Sequence, residues 1–348
     1  MDRRRFLQLG GLATTAALMS SDLKAMDFKH NPKIKPVVGS WFEFYHHSRV
    51  GAKYWNPILY KYTDEQWRAM IKDIHELGME YLVLLSVADN GKTFYPSNLQ
   101  PRYDMASPDP LETVLSAADE YGIKFFISND YWGDFREVDK MMTSREVAAL
   151  RAKGMEEVAT KYSHHKSFYG WYYPNETNLT ETMDEMTIAY VNGSSKLAHE
   201  LTPHCKTMIA PYGTRTVKAD DYYAKQLERL DVDIIAYQDE VGVQKSKAGE
   251  VGKYFEALSR AHNKAGRAKI WADLEIFDFE GKVYTSPAIP STFDRLLVQM
   301  EDVSPFVEKI LIYQYSGLMS KPGSIATLGQ PKADKFYTDY AAWLKAQK

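Results

Sequence analysis

Eight short runs rich in apolar, β-branched and aromatic residues alternate with eight stretches of helical periodicity along this chain. That alternation constrains the fold more than any other feature of the sequence. The runs are Val37–Phe42, Tyr81–Ser86, Lys124–Ser128, Tyr169–Tyr173, Thr207–Ala210, Asp233–Gln238, Lys269–Leu274 and Lys309–Tyr315. Most are nearly continuous in apolar character, as expected for parallel strands buried on both faces. The periodicity predicts helices over 64–77, 110–121, 144–162, 180–201, 216–229, 248–265, 291–303 and 333–346. Thr63 followed three residues on by Gln66 reads as a capping box. Pro110 reads as a first-turn proline. Gly78 and Gly122 stand where a helix should stop before the next strand. Eight β-then-α units in order predict an α/β fold, a single (β/α)8 TIM barrel. An open doubly wound sheet is the rival, but Gly39-Ser40-Trp41-Phe42 after the first run is not a phosphate-binding glycine loop.

The N-terminus reads as an address. Arg3-Arg4-Arg5-Phe6-Leu7 precedes a Gly- and Ala-rich, weakly apolar stretch from Leu9 to Met19. The pattern predicts a twin-arginine signal peptide over 1–25, cleaved after Ala17 to Ser21 or after Ala25, with the barrel over 30–348. The rival is an uncleaved anchor, although the stretch is short and glycine-rich for a membrane span. The expectation is a folded protein delivered to the periplasm or the exterior, with no stable membrane insertion once the signal is removed.

Composition removes other classes. The net charge of −3 leaves no basic stripe for nucleic acid. One cysteine, Cys205, permits neither an internal disulfide nor a cysteine-based metal site. His46-His47 and His164-His165 invite a metal reading, but adjacent residues on a strand or helix point in different directions, so neither a metal nor a cofactor is expected. A metal-dependent isomerase or lyase would need several such ligands converging on one ion. Tyr (24), Phe (15) and Trp (7) are abundant, which suits sugar rings as well as a packed core.

In a barrel, chemistry belongs to the C-terminal strand ends and the loops beyond them. The longest connections, 43–62, 87–108 and 276–290, all fall at that end. The strand ends there offer acids, amides and indoles, the inventory that reads sugar hydroxyls and ring faces. The candidate contacts are Trp41, Glu43, Asn90, Asp130, Trp132, Asn175, Tyr212, Gln238, Trp271 and Gln314. The rival reading makes the tryptophans barrel core and Glu43 an ion-pair partner of Arg49. Cleaving a glycosidic bond requires two carboxyl groups, one to protonate the leaving oxygen and one to attack or to activate water. Glu176 follows the fourth strand in Tyr172-Tyr173-Pro174-Asn175-Glu176, and Glu275 ends the seventh in Trp271-Ala272-Asp273-Leu274-Glu275.

An Asn-Glu pair after strand four with a Glu after strand seven resembles the large superfamily of retaining (β/α)8 glycoside hydrolases. The resemblance implies that Glu176 is the acid/base, Asn175 a contact to the sugar 2-hydroxyl and Glu275 the nucleophile. Gly39-Ser40-Trp41-Phe42-Glu43, Gly170-Trp171-Tyr172 and Tyr237-Gln238-Asp239 with Gly242 are similar to a family of exported bacterial barrels of unassigned function that carry a glycosyl-hydrolase label. Asp239 and Glu240 at the end of strand six remain alternatives to Glu275 as the second carboxylate. A carbohydrate-binding barrel without hydrolytic activity is the competing function.

Overall fold

The computed structural model describes residues 34–176 and 178–347. The expected signal peptide, 1–25, lies outside the described residues. Eight parallel strands close into one barrel: β1 Val37–Phe42, β2 Tyr81–Leu84, β3 Lys124–Ser128, β4 Phe168–Tyr173, β5 Lys206–Ile209, β6 Ile234–Gln238, β7 Lys269–Glu275 and β8 Lys309–Tyr313. Each pairs with its neighbours in sequence, and β8 returns to pair with β1. This is a (β/α)8 TIM barrel. A helix follows each strand: α1 Asp64–Glu76, α2 Pro110–Tyr121, α3 Arg145–Tyr162, α4 Glu185–Leu201, α5 Asp221–Arg229, α6 Gly252–Ala265, α7 Phe293–Val303 and α8 Pro331–Ala346.

The predicted start signals act as expected. The Thr63 hydroxyl accepts from the Gln66 amide at 3.3 Å, and the Gln66 side chain accepts from the Thr63 amide at 3.1 Å. Gly122 ends α2 in the left-handed region at φ 70°. Three helices begin four or five residues later than the periodicity suggests, because the loops beyond β4, β5 and β6 are longer. Asp184 and Asp220 set two of those starts, each accepting from backbone N–H groups of the first turn. Two short helices, Asn56–Leu59 and Val138–Thr143, and two small antiparallel ribbons, 88–93 and 277–290, elaborate the loops at the C-terminal end.

Alternation along each strand sorts the side chains. Outward residues such as Ala272 and Leu274 join the layer beneath the helices, whereas Trp41, Tyr81, Phe126, Tyr172 and Trp271 fill the barrel interior. Trp271 meets Tyr81 edge-on at 5.1 Å, and Trp41 meets Tyr172 edge-on at 5.8 Å. Each such indole removes on the order of 200 Å² from water, about 5 kcal/mol at 25 cal/mol/Å². This aromatic plug closes the barrel from below and gives the mouth a floor.

Candidate active site

A cavity of about 470 Å³ opens at the C-terminal mouth. Its walls come from the ends of the strands and the loops beyond them, at β1 (His46, His47, Trp55), β3 (Tyr131), β4 (Asn175, Glu176), β5 (Tyr212), β6 (Gln238, Glu240, Lys245), β7 (Asp273, Glu275) and β8 (Tyr313). Period-two alternation places Trp271, Asp273 and Glu275 on the inner face of β7, with the indole in the plug and both carboxyl groups in the cavity. Across the ladders Gln238 pairs with Asp273, and Tyr313 with Glu275.

Glu176 reaches the cavity from beyond β4. Burial pushes its carboxyl up to about 7, against a hydrogen bond from Gln238 and the charge of Lys245. Glu275 is almost fully enclosed, and its Oε2 accepts from the Val243 amide at 2.8 Å. Burial and then the neighbouring Asp239 hold its carboxyl above the usual range. Glu240, at φ 56°, is paired with Lys245 at 3.2 Å, and Lys245 in turn lies 4.8 Å over the Tyr212 ring. Lys245 therefore spends its charge on Glu240 and braces the wall.

Asp239 does not line the cavity, contrary to its expected catalytic place. Gln238 faces the mouth, so the next residue faces the helices. There Asp239 accepts from the Glu275 amide at 3.0 Å, the Val241 amide at 3.2 Å and the Gln299 side chain. It fixes the backbone of Glu275 and raises the proton affinity of that carboxyl; it is a positioning residue. The tryptophan expectations are corrected in the same way. Trp41 and Trp271 belong to the plug. Trp132 packs outside the barrel over α3, where a Cβ on Gly154 would stand 2.1 Å from its ring. Trp55, Tyr131, Tyr212 and Tyr313 take their place on the wall.

The other expected contacts divide. Asn175, Tyr212 and Gln238 line the cavity. Asp130 is buried behind it, paired with Arg151 at 2.5 Å and accepting from the Asn175 amide at 2.8 Å, so it orients Asn175. Glu43 and Gln314 also lie behind the wall. Glu43 accepts from Trp55 and Gln314 at 2.7 Å each and meets His46 Nδ1 at 2.8 Å. Burial works to raise its carboxyl, but the His46 charge and these three hydrogen bonds outweigh it and leave it below its ordinary value. The expected partner Arg49 is replaced by His46. Asn90 is exposed on the loop after β2, bonded to Asp89 at 2.8 Å, and is not part of the wall.

Sequence reasoning left His46, His47, Trp55, Tyr131, Lys245, Asp273 and Tyr313 of the wall out of the site. The alternation Trp271, Asp273, Glu275 was the available signal for Asp273. Neither histidine pair offers a ready metal centre. His47 is held neutral by burial, down to about 3. Glu112, His164 and His165 bring ligand atoms within 4.8 Å of one another, but His165 spends one ring nitrogen on Asp119 (2.8 Å) and the other on Glu112 (3.0 Å). Burial lowers its proton affinity and these two carboxylates more than restore it, so His165 is an imidazolium bridge below the barrel rather than a ligand.

A closed (β/α)8 barrel with a cavity of carboxyl, amide and aromatic groups at its C-terminal mouth defines the class of protein. The chain belongs to the family described as a domain of unknown function, DUF4434, which matches residues 37–326. No curated protein matches it. Its fold is shared with solved glycoside hydrolases. A provisionally assigned alpha-L-fucosidase from Bacteroides thetaiotaomicron is 16% identical with a TM-score of 0.73, covering 95% of this chain and 99% of that one. The endo-beta-1,4-mannanase from Thermotoga petrophila is 10% identical with a TM-score of 0.56, covering 89% and 77%. A beta-galactosidase from Halorubrum lacusprofundi is 12% identical with a TM-score of 0.57, covering 89% and 57%.

Proposed function

We propose that this protein is a retaining glycoside hydrolase, with Glu176 as acid/base and Glu275 as nucleophile. The observation that carries the reading is that both carboxyl groups line one cavity with raised proton affinities, Glu176 at about 7 and Glu275 at about 8, so that the site holds a proton to give near neutrality, while the Val243 amide favours the ionised form of Glu275. Glu176 protonates the glycosidic oxygen as Glu275 attacks the anomeric carbon, and the C–O bond to the leaving group breaks. Glu176, now ionised, takes a proton from water, which attacks the glycosyl ester and frees Glu275. Asn175, Gln238 and the Tyr212 ring supply hydroxyl and ring-face contacts. The fold it shares with glycosidases of several specificities supports a carbohydrate ligand and leaves the sugar open.

Aryl glycosides and polysaccharides screened against wild type and Glu176→Gln test the assignment. Turnover of substrates with ordinary leaving groups should vanish in the variant while binding survives, and full activity would sink it. The first-formed sugar, followed by NMR, should keep its anomeric configuration. Glu275→Ala should regain turnover with azide, giving a glycosyl azide of inverted configuration. The twin-arginine pattern at Arg3-Arg4-Arg5 supports export of the folded barrel to the periplasm or beyond. Among the described residues no helix is long and apolar enough to cross a membrane. Fractionating cells that express the full chain, against Arg4→Lys with Arg5→Lys, tests the route.

A further inference from the structure

Asp273 is the group on the cavity wall that the proposed chemistry leaves unused. It stands on the inner face of β7, two residues and about 6.6 Å along the strand before Glu275, which makes it part of the floor. It is 2% exposed, and no hydrogen bond to either carboxyl oxygen joins it to another described residue; its Oδ1 is buried without a partner. Among the groups that act on it, Glu275, Asp239 and Glu176 are all acids. The cations that act on its acidic neighbours are committed elsewhere, Lys245 to Glu240 and Arg295 to Asp278 and to the backbone carbonyls of Glu275 and Phe277. A buried carboxyl without cation or donor, beside three other acids, is stable only as the neutral acid. A neutral acid has one O–H to give and lone pairs to take, and the protein itself satisfies neither.

We propose that Asp273 is a substrate-contacting and specificity-determining residue, a neutral carboxylic acid on the cavity floor that hydrogen-bonds the deepest hydroxyl of a neutral sugar. Neutral sugars are favoured over uronic or sulfated ones because an anionic group buried here would lose its hydration and face the ionised Glu275 with no free cation to meet it. The inference deepens the hydrolase reading and rests on it for the class of ligand.

Infrared difference spectra, wild type minus Asp273→Asn at neutral pH, isolate this carboxyl from those of Glu176 and Glu275. The expected result is a carboxylic-acid C=O band that shifts when at least one of L-fucose, D-mannose and D-galactose is added, and that D-glucuronate leaves in place. Calorimetry with the sugar that moves the band should show binding weakened about tenfold in Asp273→Leu, the value of one neutral hydrogen bond. Asp273→Asn, which keeps one donor and one acceptor, should restore it. Asp273→Leu should melt no lower than wild type, because the side chain it replaces makes no bond within the protein. An ionised carboxylate band, an acid band moved by none of the three neutral sugars, or one moved most by glucuronate overturns the proposal, whether or not the leucine variant folds. A sugar-sensitive acid band without hydrolysis of any glycoside would sink the hydrolase reading and leave this inference standing. Hydrolysis dependent on Glu176 with an unmoved band would do the reverse.

Discussion

Replacing Glu176 by Gln should stabilise the protein at alkaline pH while removing its activity, and the size of the effect follows from where the carboxyl sits. Its ordinary value of 4.5 is raised to about 7 in the folded chain. Below about pH 4.5 both folded and unfolded states hold the proton, and burial of the neutral acid costs nothing by this route. Between 4.5 and 7 the unfolded state has lost the proton and the folded state keeps it, so stability falls as pH rises. Above 7 the loss is complete. At about 1.36 kcal/mol per pH unit the whole span amounts to about 3.4 kcal/mol. Water reaching the carboxyl through the cavity screens part of this, which leaves about 2–3 kcal/mol. Glutamine cannot titrate, and its side-chain oxygen keeps an acceptor for the Gln238 amide. The stability difference, variant minus wild type, should therefore be near zero at about pH 4 and grow to about 2–3 kcal/mol by about pH 8. With an unfolding entropy of about 2.1 cal/mol/K per residue over roughly 310 residues, that is about 3–5 °C in Tm. Paired thermal melts of the two proteins at several pH values read this difference without needing a substrate. A difference that stays flat with pH would show that the Glu176 carboxyl is not held protonated by the fold, and the acid/base assignment would lose its physical basis.

Other consequences are open to measurement. Once a substrate is in hand, kcat/KM should follow a narrow bell, rising through about 7 and falling through about 8, because Glu176 must be protonated and Glu275 ionised to act. Asp239→Asn removes the acid beside Glu275, so the same profile should move to lower pH; an unmoved profile would refute the coupling of these two groups. Arg151→Met leaves Asp130 buried without its cation and should cost about 3–5 kcal/mol in urea unfolding, with Asp130→Asn in the same chain recovering part of it. Gly154→Ala drives a Cβ into the Trp132 ring and should cost about 1–3 kcal/mol or more by the same measurement.

Much of the fold could be read from the chain because parallel strands and amphipathic helices carry local signals. All eight strands lie within two residues of their expected bounds, and α2 begins and ends where Pro110 and Gly122 place it. The late starts of α4, α5 and α6 arose from loop residues that mimic helical periodicity, until the Asp184 and Asp220 caps intervene in the first two. The candidate site was legible to the depth of single strand ends and no further. Strand alternation decides whether a residue at the mouth faces the cavity or the helices, and a one-residue step reverses it. Gln238 and Asp239 are neighbours in sequence, yet one lines the cavity and the other supports Glu275 from behind. The same parity makes Trp41 and Trp271 a plug rather than a sugar platform, and it sets Asp273 in line with Glu275. What the sequence could not express is partnership across the barrel. Glu43 reads as a sugar contact or an ion-pair partner of Arg49 until the fold brings Gln314, Trp55 and His46 around it, and Asp130 reads as a sugar contact until Arg151 and Asn175 meet it. With Asp239, three of the acids at the mouth are thus consumed in holding others in place. Glu240 is neutralised by Lys245. That leaves Glu176, Asp273 and Glu275 as the carboxyl groups facing one another across the cavity, of which chemistry by paired carboxylates needs two. The third, with no bond of its own to the protein, is the one whose role a ligand must define.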